Sequence, residues 1–411
     1  MICAKLFLIL SFFVLMDCKD PRSALYMDNG FDQTTVYPLS RQEKREVEHE
    51  ILNLLGLSTR PRHVTNSTLK GGSAPRFLLD VYKSMLDNPR SRSTRSEFNL
   101  GGRDLQSIDE SDVIMSFSSL YHHVSGVRHE RGKRLWFDVS EVPAGETIVG
   151  VELRIYQMTN VSIKPVTGLV VTLYQVLDTD GERELEVVDS VNTTSSNEGW
   201  LLFNVTRAFA SWVAIPSSNK GLYLSVHLNT RNAHEMRTEE AGLVTTATPG
   251  SEERQPFMVA FFKAKNPEKR VRSRRTREAE RRRRKKSNDE SSYPHNPLLS
   301  TAQHLSARSC QLQTLYVSFQ DLAWQDWIIS PDGYGASYCS GECNFPLNAH
   351  MNATNHAIVQ TLVHLMSPSS VPKPCCAPTK LQSIYVLYHT DPYSVTLKKY
   401  HNMVVKSCGC H

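Results

Sequence analysis

The sequence predicts two differently built parts. The C-terminal one, residues 310–411, is a small, all-β-like module of two antiparallel β-ribbons and one helix, held together by disulfides. The N-terminal one is α+β with an antiparallel β-sandwich-like core. Two observations carry this division. Of nine cysteines, Cys3 and Cys18 lie at the N-terminus, while Cys310, Cys339, Cys343, Cys375, Cys376, Cys408 and Cys410 crowd the C-terminal module. The cysteine-free middle carries short β-branched and aromatic runs instead, the composition of strands that build an ordinary core.

Each element can be justified in chain order. At 411 residues with a formal charge of +5, the chain has room for a signal, two domains and linkers. Lys5, the apolar run 6–16 and the polar break Asp17-Cys18-Lys19-Asp20 read as a secretory signal within residues 1–24, ending between 18 and 24. The run is too short to span a bilayer comfortably. Secretion gives meaning to the Asn-x-Ser/Thr triplets at Asn66, Asn160, Asn192, Asn204 and Asn352, which would then carry glycans on the surface.

Residues 25–275 form the next region, with helical segments over 40–87. Val47, Ile51, Leu54 and Leu55 recur at helical spacing, with Ser40 able to cap the start and Gly56 with Pro61 able to end it. After Pro75, the residues Phe77, Leu78, Val81, Tyr82 and Met85 share one face. These helices pack either on their own domain or on the C-terminal module; periodicity does not choose. Residues 88–103, rich in Ser, Arg and Gly, read as a flexible link. Strands follow over 111–263, at 113–117, 134–139, 148–156, 169–176, 200–205, 221–226 and 257–262.

No catalytic or metal-binding pattern stands out. There is no His-Glu-x-x-His, Gly-x-Ser-x-Gly, phosphate-binding glycine loop or Cys-x-x-Cys zinc pair, and the middle-region histidines are scattered. We assign no active site, metal or cofactor.

Residues 269–286 form a basic junction, with twelve Lys or Arg against Glu278 and Glu280. Such a run serves nuclear import or nucleic-acid binding, an anionic polysaccharide, or a protease. Behind a signal the nuclear and nucleic-acid readings fall away. Arg272-Ser-Arg-Arg275 and Arg281-Arg-Arg-Arg284 both fit the Arg-x-(Lys/Arg)-Arg pattern of furin-type convertases, in a structureless link where proteolysis is easiest. Cleavage is expected after Arg275, with Arg284 as the alternative. The first cut leaves residues 276–309 as a flexible arm, on which Arg281, Arg282, Arg283, Arg284, Lys285 and Lys286 could bind heparan sulfate.

In the C-terminal module, bridging Cys339-Ser-Gly-Glu-Cys343 to Cys408-Gly-Cys410 closes a ring of eight residues that a further bridge from Cys310 can thread. A threaded ring leaves little room for Cβ at Gly341 and Gly409. Counting does not fix connectivity, but adjacent Cys375 and Cys376 should serve different partners, one of them in another chain. Leu315, Val317 and Phe319 alternate on one strand. A second hairpin runs 381–388 and 395–405 around the turn His389-Thr-Asp-Pro-Tyr-Ser394. Between them, Thr354 or Asn355 can cap a helix over 356–366 that Pro368 stops. So thin a module has no conventional core. Trp324, Trp327, Phe345, Ile358 and Leu362 are therefore expected to be exposed on a lone chain, as partner surface.

Signal, cysteine-poor region, basic cut and seven-cysteine module together resemble the TGF-β superfamily. Leu315-Tyr-Val-Ser-Phe-Gln-Asp-Leu, Trp324-Gln-Asp-Trp-Ile-Ile, Asn352-Ala-Thr-Asn-His-Ala-Ile-Val-Gln-Thr-Leu-Val-His and Pro372-Lys-Pro-Cys-Cys-Ala-Pro are similar to the bone morphogenetic protein branch, nearest its osteogenic-protein group (types 5 to 8, with the insect glass bottom boat members). Glu50-Ile-Leu-Asn-Leu-Leu-Gly-Leu, Ala74-Pro-Arg-Phe-Leu-Leu-Asp-Val-Tyr and Leu135-Trp-Phe-Asp-Val extend a weaker likeness upstream.

The resemblance implies a cystine-knot growth-factor fold with bridges Cys310–Cys376, Cys339–Cys408 and Cys343–Cys410, and Cys375 joining two chains. It implies a type I receptor surface of Trp324, Trp327, Phe345, Pro346, Asn348, Met351, Ile358 and Leu362, and a type II surface of Ser330, Tyr385 and Leu387. Asn352 falls at the family's glycan position. The implied partners are a second copy or a related ligand, type I and type II receptor serine/threonine kinases acting through SMAD proteins, a convertase, the chain's own pro-region, and extracellular antagonists. Two other classes fit less well. A secreted cystine-knot antagonist would lack the convertase site and large pro-region, and a zymogen needs a nucleophile or metal set in its released piece.

Overall fold

The computed structural model describes residues 24–264 and 309–411, apart from short internal stretches of which 62–71, 87–97 and 121–131 are the longest. The signal segment, the basic junction with Arg275 and Arg284, residues 281–286, Ser40, Gly56, Asn66, Asn160 and Asn348 lie outside the described residues. Two compact units form: residues 1–60 with Ser318–Trp324, and residues 61–317 with Gln325–His411.

The first unit holds a hairpin of β1 (Ala24–Asp28) and β2 (Thr34–Pro38), helix α1 (Arg41–Leu54), and the segment Ser318–Trp324 from far along the sequence. That segment is a capped single turn. Ser318 Oγ accepts the Asp321 N–H (3.2 Å) at its start. At its end Ala323 takes a positive φ of 55°, with Ala323 N donating to Gln320 O and Trp324 N to Phe319 O, both 2.9 Å. This is the paired-bond stop of a helix C-terminus, and its usual apolar contact is the Phe319–Trp324 ring stack, centroids 6.3 Å apart. Arg60 binds the turn by donating to Ala323 O, and pairs with Glu48 of α1 (3.8 Å). Phe319 therefore belongs to a turn and not to the strand expected with Leu315 and Val317; the strand is Tyr316–Ser318 alone.

The second unit is layered. Helices α2 (Ser73–Leu86) and α3 (Gly102–Glu110) cover the outer face of a large sheet. The strands of the N-terminal region are β3 (Val113–Ser118), β4 (Arg134–Leu135), β5 (Thr147–Gln157), β6 (Gly168–Thr179), β7 (Glu182–Thr194), β8 (Gly199–Asn204), β9 (Leu222–Leu228) and β10 (Phe257–Lys263), with helix α4 (Thr206–Ala214) after β8. A four-stranded sheet runs β4-β9-β6-β7. Its Val171, Leu173 and Leu224 share one core with Val113, Met115, Phe117, Leu153 and Met258 on the inner face of the large sheet, and with Phe209 and Trp212 of α4. On β10, Met258, Ala260 and Phe262 face this core while Phe257, Val259 and Phe261 face the helices, so an uninterrupted apolar run is buried on both sides.

Two expectations need correction. The stretch 88–103 is not simply a flexible link: Phe98 and Leu100 are buried in the helix layer and α3 starts at Gly102. Strand β7 and helix α4 escaped the sequence reading. The first half of β7 alternates Glu184 and Glu186 with Leu185 and Val187, but these two apolar residues are exposed and no long turn cluster sets the strand apart. Helix α4 begins directly where a strand ends.

The C-terminal module contributes β11 (Gln311–Gln313), β12 (Tyr316–Ser318), β13 (Ile328–Ser330), β14 (Gly333–Gly335), β15 (Tyr338–Ser340), helix α5 (Asn355–Met366), β16 (Cys376–His389) and β17 (Ser394–Cys410). Thr354 caps α5, its side chain accepting the Ala357 N–H (3.2 Å). Asp391 closes the β16–β17 hairpin by accepting the Tyr393 and Ser394 amides at 2.6 and 2.8 Å. The large sheet runs β13-β16-β17-β3-β10-β5-β8, so strands of both parts of the chain share it.

Candidate functional site

The knot comes first, because it fixes the ribbons. Cys310 is bonded to Cys376, Cys339 to Cys408 and Cys343 to Cys410, across 66 to 69 residues of chain. The sulfurs of Cys310, Cys343 and Cys410 lie within 4.8 Å of one another, which puts the Cys310 bridge against the ring. All three are bound in disulfides and offer no thiolate to a metal. Gly341 has φ +116°, a conformation that suits glycine. Gly409 is glycine for another reason than a threaded ring: a Cβ there would lie 2.8 Å from Asn352 O and 2.7 Å from the Thr379 methyl. Cys375 is an exposed free thiol, with its backbone paired to His411.

The β16–β17 hairpin then presents two faces. Register pairs Tyr385 with Lys399 and Leu387 with Leu397, so Tyr385, Leu387, Val395 and Leu397 share one side, that of the implied type II, convex surface. In this structure that side is covered. Phe77, Leu78, Val81 and Tyr82 of α2 form one apolar cluster with Leu387, Val395 and Leu397, and Ile329 and Tyr385 pack at its edge. Strand β3 completes the cover by pairing with the free edge of β17, from Ser394↔Phe117 to Lys398↔Val113. Asp112 O accepts the Lys399 N–H (2.8 Å) and Tyr393 O accepts the Ser118 N–H (2.9 Å) at the two ends.

The opposite face carries Trp327, edge-on to Tyr388 with centroids 5.7 Å apart. Burial pushes the Tyr388 phenol up to about 12 and holds Tyr400 well above 10, with Glu146 adding to both. The two hydroxyls bond each other and stay neutral at any physiological pH.

Residues 29–261 match the TGF-beta propeptide family, and residues 309–410 match the transforming growth factor beta like domain. The chain belongs to the transforming growth factor β family. It is 45% identical to Protein 60A of Drosophila virilis over 432 aligned residues, covering 99% of this chain and 98% of that one. Protein 60A of Drosophila melanogaster gives 45% with 95% and 92% covered, and human Bone morphogenetic protein 8A gives 39% with 91% of each. The shared sheet is therefore one between a propeptide and a growth-factor domain. The growth-factor domain is the disulfide-knotted, strand-rich part, and the propeptide is built of sheets with few helices.

The other site candidates fall into two groups. Phe345, Pro346, Ile358 and Leu362 are exposed, Phe345 by 54%. Trp324, Trp327 and Met351 are not: the tryptophans are 2% and 1% exposed, against the expectation of open partner surface. Trp324 lies in the first unit with its stacked Phe319, and Trp327 packs on Tyr388 in the second. Ser330 and Tyr385 are half-buried and Leu387 fully buried. Asn192, Asn204 and Asn352 are exposed, with Asn352 Nδ2 donating to Cys408 O (3.1 Å). Sequence reasoning missed Val395 and Leu397 on the convex face. Their i, i+2 spacing opposite His389 and Leu387 was the available signal, once the hairpin register was laid out. Among the described residues no helix is long and apolar enough to cross a membrane.

Behind α2 sits a buried charge cluster on the outer face of β5. Arg154 pairs with Glu152 (2.9 Å) and with Asp104 of α3 (3.1 Å). Burial raises the Glu152 carboxyl above its ordinary 4.5, Arg154 pulling the other way and Asp104 adding to the rise. An acid whose folded pKa is raised holds its proton better when folded. Its contribution to stability is present below the unfolded pKa and is lost as pH rises through the folded one. Replacing Glu152 with Gln removes that titration, so the stability of the variant relative to wild type should rise as the pH is raised above 4.5. Calorimetry of both proteins across this range checks it; a difference constant with pH, or one that falls, contradicts the assignment.

Proposed function

We propose that the chain is the precursor of a secreted, disulfide-linked dimeric growth factor that assembles type I and type II serine/threonine kinase receptors and so triggers SMAD signalling in development and growth. The observation that carries this reading is the division of seven cysteines into three knotted pairs and one exposed thiol, Cys375. A symmetric dimer repeats each surface twice, which turns two weak contacts into one multivalent engagement. Under this reading the signal is removed within 18–24, glycans sit on the Asn-x-Ser/Thr sites, and a furin-type convertase cuts after Arg275 or Arg284. The released arm binds heparan sulfate through residues 281–286. Trp324, Trp327, residues 345–351, Ile358 and Leu362 meet the type I receptor, and Ser330, Tyr385 and Leu387 the type II receptor. The propeptide withholds the convex face until it leaves. A related ligand can replace the second copy, and antagonists compete for the same surfaces. The growth factor itself performs no catalysis.

The wild-type product in culture medium should run as a dimer on a non-reducing gel and as a monomer after Cys375→Ser. It should bind receptor ectodomains and raise SMAD phosphorylation in responsive cells, the variant less at equal dose. A monomeric wild-type product, or a dimer without receptor binding, overturns the reading.

A further inference from the structure

The outer face of β5 reads from sequence as a solvent face: Glu152, Arg154 and Tyr156 alternate with the core residues Val151, Leu153 and Ile155. Yet Arg154 has no exposed side-chain surface. Its guanidinium reaches four elements at once. It pairs with Asp104 on α3 and Glu152 on its own strand, its Nη1 donates to Phe98 O (3.2 Å), and its Cζ lies 4.6 Å from the centre of the Phe77 ring on α2. Phe77 in turn meets Phe98 edge-on (5.3 Å) and Phe257 of β10 (5.4 Å).

This is an inefficient way to obtain stability. Arg154 Nε is buried without a hydrogen-bond partner, and two carboxylates share one cation. Apolar side chains of similar volume often match or exceed a buried ion cluster in stability. What a planar, multiply bonded guanidinium supplies that apolar packing does not is direction. At the first turn of α2, Ser73 donates to Gln255 O, Ala74 O accepts from Ser116, and Arg76 pairs with Glu253. Phe77, at the end of that turn, lies under the guanidinium, and with Leu78, Val81 and Tyr82 it forms the apolar face that covers Leu387, Val395 and Leu397.

We propose that Arg154 is a positioning residue: without touching the growth-factor domain, it fixes the pose of α2 through Phe77 and so governs access to the convex face. The functional consequence rests on the reading of that face as a receptor surface; the positioning itself does not. The test uses the full-length chain carrying Arg154→Met, with Asp104→Asn as a milder second variant should the first fail to fold. Amide exchange is followed in α2 and, as internal reference, in β6 and β9 of the opposite sheet. Binding of a type II receptor ectodomain is read in parallel. The expected result is exchange in α2 faster by about tenfold or more in Arg154→Met and less in Asp104→Asn, with β6 and β9 within about twofold of wild type. Equal acceleration in all three elements would reduce Arg154 to a general stabiliser, and unchanged exchange in α2 would also overturn the proposal. Faster α2 exchange without a gain in receptor binding leaves the positioning role intact and counts against the receptor reading alone.

Discussion

Replacing Cys343 and Cys410 together with alanine is expected to abolish secretion of folded protein. Around the knot, one buried cluster consists of Cys310, Cys343, Cys408 and Cys410 with Met351 and Ala357. There the disulfides are most of the core, and so small a module has little apolar burial to replace them. Closing a loop across 67 residues constrains the unfolded chain by about 4 kcal/mol in the chain-entropy account. Loss of a native bridge from a small secreted domain costs about 2–5 kcal/mol, comparable to the whole stability such a domain has. The measurement is a blot of cells and medium under non-reducing conditions. The double variant should remain in the cell or appear as disulfide-scrambled aggregate, while Cys375→Ser is secreted. A double variant secreted at wild-type level with an unchanged melting temperature would show that the ribbons stand without the ring.

A candidate ring was legible because cysteine spacing is local information, five residues from Cys339 to Cys343 and three from Cys408 to Cys410; the pairing itself came with the family resemblance. The faces of the hairpin were legible only in part: Tyr385 and Leu387 came with the family resemblance, and Val395 and Leu397 emerge from alternation once the register is laid out. What covers those faces was not. The pairing of Val113 with Lys398 spans most of the chain, and nothing in Val-Ile-Met-Ser-Phe says which edge it will meet. The tryptophans show the consequence. Trp327, expected as an exposed apolar ring, is 1% exposed and packs edge-on against Tyr388, sixty-one residues further along the chain. Arg154 is the converse case. It alternates with the core residues Val151, Leu153 and Ile155, and only the placement of α2 and α3 over β5 buries it. Both cases have one source: burial depends on what a surface meets, and non-local contacts are not written in periodicity.

Leu397→Asp is the second large effect expected. Leu397 is fully buried between α2 and the convex face, paired in register with Leu387 on one side and Ile114 on the other. Removing the side chain forfeits about 1.5–3 kcal/mol of apolar burial. Placing a carboxylate there adds the larger penalty of a charge with no cation in its apolar cluster. The sum exceeds about 3 kcal/mol, most of it falling on the contact between propeptide and growth-factor domain, because both covering elements belong to the propeptide. Once the junction between them is cut, no disulfide among the described residues holds the parts together. Wild type should then elute from a sizing column as a complex of both, and Leu397→Asp as separated parts. Leu397→Met, similar in volume and apolar, should behave as wild type within about 1.5 kcal/mol. Co-elution of the Asp variant with its propeptide would mean that the two parts are held chiefly elsewhere, and that the covered convex face is a bystander to retention.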